Sequence, residues 1–302
     1  MSKKRFGKGL SKENYGYLFI LPFFATFLIF SLYPIIYSFG ISFMKWDGLS
    51  PESTFIGIKN YSRLIVDPTF REAISNTFIM WGFNVVPQMV IALILAIILN
   101  NQRLKGRDFF RAIYYLPNLV TPAAIGVLFV FLFDWQSGAV NNMLISFHIF
   151  KEPFNWLIDG MAIKGIVSFT QWWMWFGYSS IIFMAGLKNI PEELYEACRV
   201  DGASGWQTFW KITLPLLKPT VLYSVLTSII GGMQLFDIPN VIAATPLTQG
   251  RSVQTMVLYL YNTAFQNNNY GYGAAIGYGL FVIILIFAVG SFKLINRNAQ
   301  YD

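Results

Sequence analysis

The chain has 302 residues, a net charge of +7, 55% apolar residues and only 12% charged ones, with a mean hydropathy of +0.50. Soluble proteins carry about 25% charged residues, so a chain this apolar cannot hide its surface in a core of its own and must face lipid; the positive surplus finds no basic face on a soluble fold, which excludes nucleic acid. One cysteine (Cys198) and one histidine (His148) exclude an intramolecular disulfide and a cysteine metal cluster, so neither a catalytic residue nor a metal site is expected.

Taken in order, the chain opens with a basic tail (1–16) and a first uncharged stretch over 17–44, too long for a signal-peptide core and read as a retained anchor. An outer loop (45–72) follows, then a second span over 73–99 that carries Asn84, Pro87 and Gln88. After a basic loop comes a third span over 112–133. The second outer loop (134–164) holds an amphipathic piece near Val140 to Ile149, and His148 reads as a surface residue. Asp134, Glu152 and Asp159 share that loop without the spacing of a catalytic cluster. A fourth span (165–187) is followed by a polar loop (188–215), a fifth span (214–236) and a sixth (272–292). All six are expected as helices, because a helix satisfies its own backbone hydrogen bonds in lipid. The whole chain, 1–302, reads as one transmembrane domain.

Six spans put both termini and the loops after the second and fourth spans on one side. That side holds fifteen of the 22 basic residues, and the positive-inside rule makes it the cytoplasm. Both termini are therefore expected in the cytoplasm.

The loop at 188–215 reads as two short helices with a break. Pro191 suits a first helical position, and Glu192 and Glu193 complement the helix start. Leu194, Ala197 and Cys198 share a face. Gly202 suits a left-handed helix end, Ser204 and Gln207 form a capping-box pattern, and Pro215 bends the way into the fifth span. The result is a cytoplasmic docking knob.

Polar and aromatic residues within spans mark a candidate path, since polar groups in a bilayer face protein or a water-filled cavity. Asn84 and Gln88 lie four apart. Gln171, Trp175 and Tyr178 share a helical face, and Gln234 and Asp237 share another. Amides and a carboxylate beside aromatic rings suit a neutral sugar: hydrogen bonds for its hydroxyls and flat apolar surfaces for its C–H faces. No Lys or Arg lies in the central part of any span, which argues against an anionic solute. Gly273 and Gly277, with Ala274 and Ala275, read as close helix packing.

The sequence Glu196-Ala197-Cys198, three residues, Gly202, nine residues, then Ile212, Leu214 and Pro215 resembles the EAA signature of permeases in ABC importers, with Cys198 in place of the third small residue. Further segments resemble the carbohydrate permeases of the maltose-transporter type: Tyr33-Pro34, Phe55 to Tyr61, Leu116-Pro117, Asp201-Gly202-Ala203 and Thr255 to Phe265. The resemblance covers nearly the whole chain and implies an all-α integral membrane protein with the type I importer permease fold and a cytoplasmic coupling helix. By position, Glu196, Ala197 and Gly202 would be the ATPase contact and hinge, Asp201 would cap or dock the same turn, and Ile212, Leu214 and Pro215 would anchor the loop to the fifth span.

The resemblance also implies partners: a second permease subunit of a different sequence, two ATPase subunits and an extracytoplasmic sugar-binding lipoprotein. This chain has no GxxxxGK[ST] phosphate loop, so ATP and magnesium would be used by the partner ATPase and no cofactor is bound here. The expected function is import of a neutral di- or oligosaccharide. The alternatives are a permease for another solute such as glycerol phosphate, or an ion-coupled secondary sugar carrier.

Overall fold

The computed structural model describes residues 12–101, 104–245 and 250–296; Lys3, Lys4, Arg5, Lys8, Arg103 and Arg297, used above for orientation, lie outside them. Two compact units emerge from the contacts. One takes the described residues as far as Ile65 together with Thr263–Tyr278, and the other takes Val66–Asn262 and resumes at Gly279.

In the first unit α1 (Lys12–Phe27) runs through a π turn (Leu28–Leu32) into α2 (Tyr33–Ile41). Pro34 at the start of α2 has no N–H to donate, and the widened turn before it accommodates the lost bond. No position of the apolar window in Phe19–Ile41 is buried. This carries no penalty in lipid, where tails are as apolar as the side chains. Strands β1 (Met44–Lys45) and β2 (Thr54–Phe55) pair antiparallel, and α3 (Lys59–Val66) follows. The buried Asn60 amide donates to the carbonyls of Ser42 and Met44, both at 2.9 Å, which pins the outer loop to the end of α2. Gly273 is where Ala264 approaches, since a Cβ there would lie 2.7 Å from the Ala264 Cβ; the expected close packing is present.

The second unit is built on α4 (Pro68–Asn100) and α8 (Gly160–Lys188). Each begins with an aspartate N-cap: Asp67 accepts from the Thr69 and Phe70 amides, and Asp159 from those of Met161 and Ala162. Asp134 accepts from the Gln136 and Ser137 amides and the Ser137 hydroxyl, and the Ser137 bonds hold its carboxyl below the usual range. Two of the three acids in the 134–164 loop are therefore turn and cap residues. Between them α7 (Ala139–Ser146) ends in an exposed His148 with φ +58°.

The stretch expected as one span over 112–133 is two helices, α5 (Arg107–Leu119) and α6 (Pro122–Leu132), meeting at 91°. Pro122 cannot donate to the carbonyl four residues back, and the residue before a proline is pushed toward extended backbone; Thr121 is extended at φ −63°, ψ 136°. After the loop helices α9 (Glu192–Val200), α10 (Gly205–Thr208) and α11 (Leu214–Leu216), the expected fifth span starts later, as α12 (Lys218–Met233), and breaks before α13 (Asp237–Ala243). A 3-10 turn (Gly250–Val253) leads into α14 (Met256–Tyr261), and α15 (Tyr270–Asn296) closes the described chain.

Among the described residues, four helical stretches are long and apolar enough to cross a membrane (Phe19–Ile41, Pro68–Asn100, Lys218–Ala243 across the α12–α13 break, and Tyr270–Ile295), and the bent α5–α6 pair would make a fifth. Helix α8 has 29 residues, about 43 Å at 1.5 Å per residue, but its glutamine, serines and aromatic amphipaths keep it below the apolar level of the others.

Candidate functional site

Asn84, Gln88, Gln171, Trp175, Tyr178, Gln234 and Asp237 all line one cavity of about 420 Å3 within the second unit. Helix α4 supplies Asn84 and Gln88 one turn apart, and α8 supplies Gln171, Trp175 and Tyr178 at the i, i+4, i+7 positions of one face. Gln234 and Asp237 do not share a helix, as α12 ends at Met233 and α13 begins at Asp237; the break between them still presents both to the cavity. Pro122, at the bend between α5 and α6, completes one edge.

The helices approach closely where side chains are small. A Cβ on Gly177 would run into the Tyr114 carbonyl, so α5 crosses α8 backbone to backbone one residue before Tyr178. Gly232 leaves room for the Trp81 ring, whose Nε1 donates to the Ser228 hydroxyl at 3.2 Å. These contacts set the cavity walls.

Gln88 Nε2 donates to the Ser179 hydroxyl at 2.7 Å across α4 and α8. Asn84 Oδ1 and Ser224 Oγ are buried and make no hydrogen bond among the described residues, an arrangement that costs stability. Trp175 and Tyr178 meet edge to face at 5.7 Å between centroids, with Trp175 40% exposed in the isolated chain and its face available to a ligand. The lining contains one carboxylate, Asp237, and no Lys, Arg or His.

Sequence reasoning passed over Ser179, Tyr223, Ser224, Thr227 and Ser228, which also line this space. Serine and threonine in apolar helices commonly bond to their own backbone, as Thr227 does to the Tyr223 carbonyl at 2.9 Å. Their type alone therefore gives no functional signal. The i, i+4 spacing of Ser224 and Ser228 on the stripe that leads to Gln234 was the available clue.

The second candidate region is the loop after α8. Helix α9 has no buried residue, with Leu194, Glu196 and Ala197 exposed and Cys198 and Tyr195 half-buried. Pro191 is the N-cap, one residue before the expected position. Gly202 takes φ +69°, and the Ala203 amide donates to the Cys198 carbonyl at 2.9 Å, closing the helix. Asp201 is the C-cap. Both halves of the Ser204–Gln207 capping box form.

The π turn Phe209–Thr213 precedes Pro215, and the loop is held by Tyr195 and Thr213, whose hydroxyls lie 3.3 Å apart. Ile212 and Leu214 are half-buried, and Pro215 is exposed. The fully buried anchor is Leu217, in a cluster with Ala92, Ala96, Phe183 and Leu187 of α4 and α8. Glu196 and Arg199 pair at 3.6 Å with both side chains largely exposed, so the pair adds little stability. The result is an exposed knob carried on the C-terminal ends of α4 and α8.

Residues 88–297 match the model of the binding-protein-dependent transport system inner membrane component. The lactose transport system permease protein LacF of Rhizobium radiobacter is 38% identical over 280 residues, covering 92% of this chain and 91% of that protein. The arabinooligosaccharides transport system permease protein AraP of Bacillus subtilis is 36% identical over 285 residues, covering 94% and 89%. Among solved structures, a chain of a bacterial ABC transporter involved in the import of the acidic polysaccharide alginate superimposes with a TM-score of 0.82 at 25% identity, over 95% of this chain and 96% of that one. The chain belongs to the binding-protein-dependent inner membrane permeases of ABC importers, and is a multi-pass transport subunit rather than an enzyme.

Proposed function

We propose that this permease carries a neutral di- or oligosaccharide, delivered by an extracytoplasmic binding protein, through the cavity between α4, α8 and α12. The observation that carries this reading is the lining: four amides, several hydroxyls, a tryptophan and tyrosines, one carboxylate and no cation. Hydroxyl-rich rings need donors and acceptors at their edges and apolar surface at their C–H faces. A phosphorylated polyol would bring two negative charges beside Asp237 with nothing in this lining to neutralise them. An ion-coupled carrier would not need the exposed knob at 191–215.

Both termini lie in the cytoplasm on this reading, and six spans cross the membrane, with α8 as the fourth and the bent α5–α6 pair as the third. The knob seats on one of two ATPase subunits through Glu196, Ala197, Asp201 and Gly202. Closure of the ATPases on ATP and magnesium moves the knob, and the rigid joint at Leu217 passes that motion to α8 and α12. The cavity wall is built from the same two helices, so its access alternates with the nucleotide cycle. A second permease subunit of different sequence supplies the facing wall.

The test is Gln171→Ala and Asp237→Ala in the assembled importer, read by sugar uptake and sugar-stimulated ATPase activity. Loss of uptake with intact assembly is expected; unchanged values for both variants would remove the cavity from the transport path.

A further inference from the structure

The break between α12 and α13 places Gln234, Leu235, Phe236 and Asp237 in the cavity wall, and a break inside an apolar protein leaves backbone groups without helical partners. The Leu235 carbonyl is such a group: the residue four positions on is Pro239, which has no N–H. Its partner comes from elsewhere in the same unit. The Thr255 hydroxyl donates to the Leu235 carbonyl at 2.7 Å and accepts from the Leu258 amide at 3.1 Å, capping α14.

Thr255 is fully buried and does not line the cavity. It stands behind the wall. The next residue, Met256, donates its amide to the Thr77 hydroxyl at 3.1 Å, and Thr77 in turn bonds the Ala73 carbonyl at 2.7 Å. At the far end of α14, Tyr261 packs on Phe236 with ring centroids 5.0 Å apart. The broken segment is thus held from behind by α14, and α14 is moored to the outer half of α4.

We propose that Thr255 is a positioning residue for solute capture: by holding the Leu235 carbonyl it fixes the direction in which Gln234 and Asp237 present their side chains to the cavity. This rests on the functional reading above and extends it to a residue that touches no solute. Without the clamp the segment has several ways to satisfy Leu235, and the two polar side chains lose their common aim. Solute released by the binding protein is then captured less often in each ATP cycle, while the coupling knob, well away from this segment in sequence, still drives the ATPases.

The experiment uses the assembled importer in liposomes, with radiolabelled lactose, maltose and arabinotriose as probes. It reads sugar moved per ATP hydrolysed alongside ATPase activity per assembled complex. Thr255→Val, of equal shape and without the hydroxyl, is expected to lower sugar per ATP roughly fivefold, the factor of about one hydrogen bond. Binding-protein-stimulated ATPase should stay near wild type, and Thr255→Ser should restore the ratio. Unchanged sugar per ATP in Thr255→Val overturns the inference. So does a proportional loss of both activities, or failure of both Thr255→Val and Thr255→Cys to assemble where Thr255→Ser assembles, since the hydroxyl would then serve folding alone. A wild-type importer that moves none of the three sugars overturns the functional reading and this inference with it; a working wild type beside an unaltered Thr255→Val overturns only the role of Thr255.

Discussion

Asn84 and Gln88 sit one turn apart on α4 and line the same cavity, yet the same substitution at the two positions should move stability in opposite directions. Asn84 is 7% exposed and its Oδ1 has no partner among the described residues. An unsatisfied buried polar group costs about 1–3 kcal/mol, so Asn84→Leu, branched alike at Cγ, free of that group and with the cavity beside it to take the added methyl volume, should stabilise the chain. For a chain of this size each kcal/mol is worth about 2–4 °C in Tm. A rise of a few degrees is expected.

Gln88, 6% exposed, donates to Ser179 at 2.7 Å; Gln88→Leu strands the Ser179 hydroxyl and should lower Tm by a similar amount. The assay is the thermal unfolding of the purified importer by intrinsic fluorescence, paired with sugar uptake per assembled complex. Uptake should fall in both variants, which for Asn84→Leu means a more stable and less active protein, the signature of a polar group kept for function. If Asn84→Leu lowers Tm as Gln88→Leu does, Asn84 is satisfied in the working protein and the argument fails.

Three further outcomes follow from the geometry. Gly177→Ala places a methyl against the Tyr114 backbone, with 2.5 Å to its carbonyl carbon; since backbone cannot yield cheaply, a loss of about 1–3 kcal/mol is expected. Gly82→Ala, with nothing within 4 Å, should be neutral or slightly stabilising in the same unfolding assay. Glu196→Lys and Gly202→Val should insert normally but co-purify with far less ATPase. At Gly202 the cause is strain at φ +69° and not a clash, because no atom lies within 4 Å of the added Cβ. Replacing Asp237 by Asn should raise uptake of a uronate-containing disaccharide relative to lactose, and an unchanged ratio would show that Asp237 does not set charge preference.

The cavity was legible because its most polar residues are costly in lipid and therefore conspicuous: two amides on α4, Gln171 with Trp175 and Tyr178 on α8, and Gln234 with Asp237. The loop at 188–215 was legible for a local reason, since Ser204–Gln207 and Gly202 specify their backbone without help from the rest of the fold. The serines of α12 were not, because a hydroxyl in an apolar helix looks the same whether it bonds its own backbone or faces a ligand. The 91° bend also escaped notice. Pro117 lies inside α5 without ending it, while Thr121-Pro122, an N-cap followed by a first-turn proline, marks the restart. Thr255 was noticed only as part of a matching segment; its partner Leu235 is twenty residues away, and no periodicity links them.

On the proposed reading, this chain moves neutral sugar only when an ATPase drives its exposed knob. The most direct measurement is lactose, maltose and arabinotriose uptake into liposomes bearing the complete importer and its binding protein, with and without ATP on the knob side. Uptake that requires ATP and disappears with Glu196→Lys is expected. Uptake by this chain alone, or in ATP-free liposomes under an ion gradient, would contradict the account.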